Sequence, residues 1–154
     1  MPKPRRSHGH ISLPTCSHHR RYILSNYATL YDALGGAEAI RDLVARFYPK
    51  VQAHPLLAPL FPEDILPVME KQYLFLTQFL GGPSLYSDQY GHPMMRARHM
   101  PFAITPERAA AWLECMSAAL AETSVPEPLR KLTIERLSGP ANHFVNTESD
   151  STAD

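Results

Sequence analysis

The chain has 154 residues, 44% of them hydrophobic, with 15 Lys and Arg against 15 Asp and Glu. That length suits one domain with one core, and the balanced charge offers no electrostatic footprint for a nucleic acid. No apolar run nears the roughly eighteen residues that cross a bilayer, and Cys16 and Cys115 form neither a disulfide framework nor a paired-spacing zinc motif, so a reducing, cytoplasmic setting is expected.

Residues 1–28 mix Pro, Ser, His and Arg without a period, and no acidic residue precedes Asp32. They are predicted to be a disordered basic extension. The segment is Arg-rich, as transit peptides are, but not clearly amphipathic. A flexible extension or a start codon placed too far upstream is the expectation. His8, His10, His18 and His19 near Cys16 are a candidate zinc or copper set, against which stands the lack of a scaffold to fix their geometry. The globular part is placed at residues 29–147, and residues 148–154 form a short acidic tail.

From Tyr31 the pattern is helical. Tyr31-Asp32-Ala33-Leu34 makes at most one turn before Gly35-Gly36. Ile40, Leu43, Val44, Phe47 and Val51 then recur at three- and four-residue steps, the mark of an amphipathic helix, which His54-Pro55 ends. Leu56, Leu57, Leu60 and Phe61 suit a short apolar helix or turn. Asp64 can cap the next helix, with Pro67 in its first turn and Val68, Phe75, Leu76 and Phe79 as its buried face. Gly81-Gly82-Pro83 stops it, and a loop of about ten residues is predicted to follow.

Pro93 opens a short helix that finishes near Met100, because Pro101 disfavours helix in the residue before it. Thr105-Pro106 is a cap and first-position proline for a helix carrying Trp112, Met116 and Leu120 on one face. A last helix starts at Pro126 and Pro128 and runs toward Phe144, with Gly139-Pro140 predicting a break near Ser138. Pro49 predicts a kink beside Tyr48. No segment alternates as a strand does, so the class is all-α.

Four features carry chemistry. Gln72 shares the apolar face of Val68 and Phe75; its amide either bonds neighbouring backbone or points into a cavity. Tyr48, beside the apolar stripe of its helix, reads as a packing group with its hydroxyl at the rim, and the single tryptophan, Trp112, as a core anchor for the long helix. His99, within Arg96-Ala97-Arg98-His99-Met100-Pro101-Phe102, either meets a helix dipole or binds metal. A single histidine cannot build a zinc site, but it suffices for haem, whose porphyrin supplies four nitrogens. Arg96 and Arg98 would suit haem propionates, or form a solvated basic turn.

Tyr31-Asp-Ala-Leu-Gly-Gly, Arg46-Phe-Tyr, His54-Pro-Leu-Leu, Phe61-Pro-Glu-Asp, Phe75-Leu-Thr-Gln-Phe-Leu-Gly-Gly-Pro, Tyr86-Ser, Gly91-His-Pro, Arg96-Ala-Arg-His-Met-Pro-Phe and Ala111-Trp-Leu-Glu-Cys-Met occur in this order. From about Tyr31 to Asn146 the chain thereby resembles the group II truncated haemoglobins. The resemblance implies a two-over-two helical sandwich around haem b, with His99 as proximal iron ligand and Tyr48, Gln72 and Trp112 stabilising a ligand on the other face. Val68 stands where other globins place a distal histidine, and Phe61 packs against the haem. With these two, Lys71, Phe75, Leu76, Met95, Arg96, Arg98, Phe102, Ile104 and Met116 complete the implied cofactor-binding set.

The implied function is reversible binding of O2, CO, NO or similar small ligands, with an unidentified reductase as partner and a monomer or homodimer as the state. The rivals are a haem enzyme with peroxidase-like or nitric-oxide-detoxifying turnover, and a haem-free helical interaction module.

Overall fold

The computed structural model describes residues 27–149. The basic extension and its histidine set, and most of the acidic tail, lie outside the described residues. The helices are α1 (Leu30–Leu34), α2 (Ala37–Ala53), a 3-10 turn (Ala58–Leu60), α3 (Leu66–Phe79), α4 (Leu85–Tyr90), α5 (Met95–His99), α6 (Pro106–Ala121) and α7 (Glu127–His143). No strand occurs among the described residues.

Helix α2 packs on α3 and on α6, and α6 packs on α7, so two helices lie over two. The periodic residues Ile40, Leu43, Val44, Phe47 and Val51 of α2 are all buried, as is Tyr48. Pro49 leaves α2 continuous. It and Ala45, whose carbonyl would have accepted the missing N–H, are both on the exposed face. Water can satisfy that carbonyl, and the core face is undisturbed. The same reasoning corrects the break expected near Ser138. Helix α7 runs on through Pro140 to His143, because Arg136, four residues earlier, is exposed. The Ser138 hydroxyl also donates back to the Ile134 carbonyl at 2.7 Å within the same turn.

Helix α3 is two-faced. Tyr73, Leu74, Leu76 and Thr77 are buried in the core, whereas Val68, Phe75 and Phe79 are only half-buried. The expected single buried face was therefore two surfaces, one toward the core and one toward a cavity. The Asp64 carboxylate accepts the Leu66 N–H at 3.3 Å at the start of α3. At its end, Gly82 must be glycine: a Cβ there would lie 2.8 Å from the Thr77 carbonyl oxygen and 2.9 Å from the Tyr31 ring.

The stretch expected as loop after Pro83 contains α4. Its Ser-Asp pair is a weak helix former, and tertiary contacts hold it. The Gln78 side chain accepts the Ser87 N–H and donates to the Ser87 hydroxyl, both at 2.8 Å, and Tyr86 is buried edge-on against Phe75. Helix α6 starts as expected, with the Thr105 hydroxyl accepting the Arg108 N–H at 3.2 Å.

Candidate functional site

A cavity of about 480 Å³ opens between α2, α3 and α6 on one side and α5 and the end of α7 on the other. That volume lies in the roughly 300–1,000 Å³ range of cofactor pockets. Its walls include Tyr48, Phe61, Val68, Lys71, Gln72, Phe75, Met95, Arg98, His99, Phe102, Ile104 and Trp112, twelve of the fifteen residues named from the sequence. Three lie elsewhere. Leu76 and Met116 are fully buried in the helical core, a helical step or turn away from the cavity-lining Phe75 and Trp112. Arg96 lines a separate open groove behind α5, with its Nη1 4.0 Å from the Met100 sulfur. Leu57, Tyr86, Arg108, Leu137, Pro140 and Phe144 also line the cavity and were not expected there. They come from four different segments, and only folding brings them together.

On one side of the cavity the Tyr48 hydroxyl donates to Gln72 Oε1 at 3.5 Å, a long and weak contact. Burial pushes the Tyr48 pKa well above that of an ordinary phenol. The hydroxyl therefore stays protonated and remains a donor. Phe47 fixes the angle between the two aromatic donors, standing edge-on to Tyr48 at 5.0 Å and to Trp112 at 5.2 Å. Phe61 stands edge-on to Tyr48 from the other side at 6.0 Å.

On the other side His99 ends α5. Its Nδ1 lies 2.5 Å from the Met95 carbonyl. A carbonyl can only accept, so Nδ1 carries the hydrogen and Nε2 keeps its lone pair. The Phe144 ring lies flat on the imidazole, 4.3 Å between centroids and 8° between planes. At the mouth, the Lys71 ammonium sits 5.3 Å from the Tyr90 ring centroid and the Arg98 guanidinium 5.6 Å from that of Tyr86. Arg98 is further anchored by donating to the Pro93 and Tyr90 carbonyls at 2.8 and 3.3 Å.

The bacterial-like globin family matches residues 29–146. The chain is 49% identical over 121 residues to Group 2 truncated hemoglobin YjbI of Bacillus subtilis, covering 78% of this chain and 91% of that protein. The chain belongs to the group II truncated haemoglobins. Its fold superposes on the group II truncated hemoglobin of Bacillus anthracis with a TM-score of 0.78 at 50% identity, covering 80% of this chain and all of that one. For the truncated oxygen-avid haemoglobin of Bacillus subtilis the TM-score is 0.73 at 48% identity, over 77% and 99% of the two chains.

This globin is thus a haem-binding protein, and its cavity fits that group. Apolar walls face each other across it, one imidazole nitrogen is free, and two cations stand at its mouth. The globin's other described histidines are differently engaged. His54 and His92 each accept a backbone N–H two residues on, from Leu56 and Met94, at 3.2 Å. His143 is exposed. Among the described residues no three His, Cys, Asp or Glu side chains gather as a metal site of their own. No described helix is long and apolar enough to cross a membrane.

Proposed function

We propose that the cavity holds haem b, that His99 Nε2 is its single protein ligand, and that the opposite face binds O2 and other small diatomic ligands reversibly. The observation that carries this reading is the opposition, across one cavity, of a histidine with a free Nε2 and three polar groups, Tyr48, Gln72 and Trp112. The chain has no Cys-x-x-Cys-His to attach haem covalently, which favours the non-covalent b type. Haem would be held by His99 and would supply an iron able to bind a small ligand reversibly.

The chain's own groups do the rest. The Met95 carbonyl holds the His99 ring and increases its basicity through Nδ1–H. The Tyr48 O–H, the Gln72 amide and the Trp112 indole N–H are donors for a partly negative ligand atom. Val68 supplies none, so ligand polarisation falls to those three. Phe75 and Ile104 exclude water, and Lys71 and Arg98 suit two carboxylates at the mouth.

The test is the visible spectrum of the purified protein and of His99→Ala. The wild type is expected to show a strong Soret band at one haem per chain. The variant is expected to lose haem, or to keep it only with added imidazole. Normal haem content and an unchanged ferrous spectrum in His99→Ala would refute the assignment.

A further inference from the structure

The far end of α7 reaches back to the proximal histidine, and two of its contacts have no part in the reading above. Phe144 stacks face to face on the His99 ring. Two residues later, Asn146 joins the chain to the α5–α6 connection. Its N–H donates to the Ile104 carbonyl at 3.0 Å and its Oδ1 accepts the Ile104 N–H at 2.9 Å. Its Nδ2 donates to the carbonyls of Phe102, at 2.8 Å, and of His99 itself, at 3.2 Å. The Thr147 N–H donates to the Ile104 carbonyl at 3.1 Å as well.

We propose that Phe144, held by the Asn146 clamp, is a positioning residue that fixes the ring plane of His99; the proposal rests on His99 being the haem ligand. The torsion about a histidine Cβ–Cγ bond is broad and only weakly self-determined. One hydrogen bond at Nδ1 fixes a point on the ring but leaves it free to tilt about that point. A flat aromatic group 4.3 Å away and 8° from parallel removes the tilt, because rotation of the imidazole would drive its edge into the Phe144 face. Keeping the ring in plane keeps Nδ1–H in line with the Met95 carbonyl, and that bond sets how strongly Nε2 donates. Asn146 matters because α5 has only five residues and its last carbonyl, that of His99, is held from within its own segment by the Phe102 N–H alone, at 3.0 Å in the turn that follows. The Asn146 amide is a second donor to that carbonyl and ties the ligand's backbone to the segment that carries Phe144.

The experiment is resonance Raman spectroscopy of the ferrous, ligand-free holoprotein, reading the iron–histidine stretching band in wild type, Phe144→Leu, Phe144→Met, Phe144→Tyr and Asn146→Asp. Wild type is expected to show one narrow band. Leu and Met remove the flat ring, so the band is expected to broaden and move to lower frequency. Tyr keeps the ring and is expected to keep the band. Asn146→Asp retains shape but loses both donors, and a smaller shift in the same direction is expected. If the Leu variant does not retain haem, the Met variant, closer in volume, makes the same comparison. An iron–histidine band absent from wild type overturns the haem-ligand reading itself. A normal band that stays unchanged in the Leu or Met variant, or that shifts equally in the Tyr variant, overturns the positioning role alone.

Discussion

Trp112 is the residue whose role is most sharply testable. Its indole and the Tyr48 phenol converge on one cavity with Phe47 between them. A hydrogen bond to a charged acceptor contributes about 1.5–3 kcal/mol, and each 1.4 kcal/mol is about tenfold. Trp112→Phe is therefore expected to speed O2 release by about ten- to a hundredfold and CO release far less, because bound CO carries less charge. Stopped-flow off-rates for both ligands decide it; equal acceleration would reduce Trp112 to a cavity wall. The double variant with Tyr48→Phe should be non-additive, since both donors share one acceptor. Tyr48 also carries a pH signature. Its folded pKa is raised by burial, while the unfolded phenol ionises near the usual value of about 10. The neutral form is thus favoured by folding, in full below about pH 10, and that stability is lost as pH rises above it. Denaturant melts from pH 8 to 11 are expected to fall less steeply at the alkaline end for Tyr48→Phe than for wild type; parallel curves would mean that another group governs alkaline unfolding.

At the scale of elements, α4 shows how a helix can be absent from local sequence signals and present in the fold. Six residues of modest propensity do not nucleate alone. What orders them is the Gln78 amide on Ser87 and the burial of Tyr86. Gln78→Ala is expected to lower the protection of the Ser87–Gly91 amides in hydrogen exchange by about tenfold or more, from two lost bonds of about 0.5–1.5 kcal/mol each. Protection elsewhere should change little. Uniform loss across the chain would show that α4 opens only with the whole domain. The prolines of α2 and α7 teach the converse. Pro140 reads as a break in the sequence, yet α7 continues through it, as α2 does through Pro49, since each freed carbonyl belongs to a residue on an exposed face.

At the scale of the molecule, the family match begins at residue 29, and the described helices begin with α1, whose Thr29 cap accepts the Asp32 N–H. The Tyr31 N–H donates to the Leu80 carbonyl at 2.8 Å, tying this start to the end of α3. Removing residues 1–26 is therefore expected to leave haem content, O2 binding and melting temperature essentially unchanged. A marked loss of haem or of thermal stability on truncation would assign those residues a place on the domain.

The sequence by itself determined the all-α class, the span of α2, the capped start of α6 and, through an ordered series of motifs, the family. These features are written locally, in periodicity, caps and helix-stopping residues, or in residue order. Gln72 is conspicuous as a polar group on an apolar helical face, whereas His99, Tyr48 and Trp112 are singled out through the family motifs that contain them. Only the tertiary structure decided which apolar residues face the cavity and which face the core. Leu76 and Phe75 are adjacent and equally hydrophobic, and nothing local separates a wall from a core position. The same holds for Phe144 and Asn146, which meet His99 across more than forty residues of chain. Contacts of that separation depend on how α7 crosses α6, and packing settles that crossing rather than any local pattern.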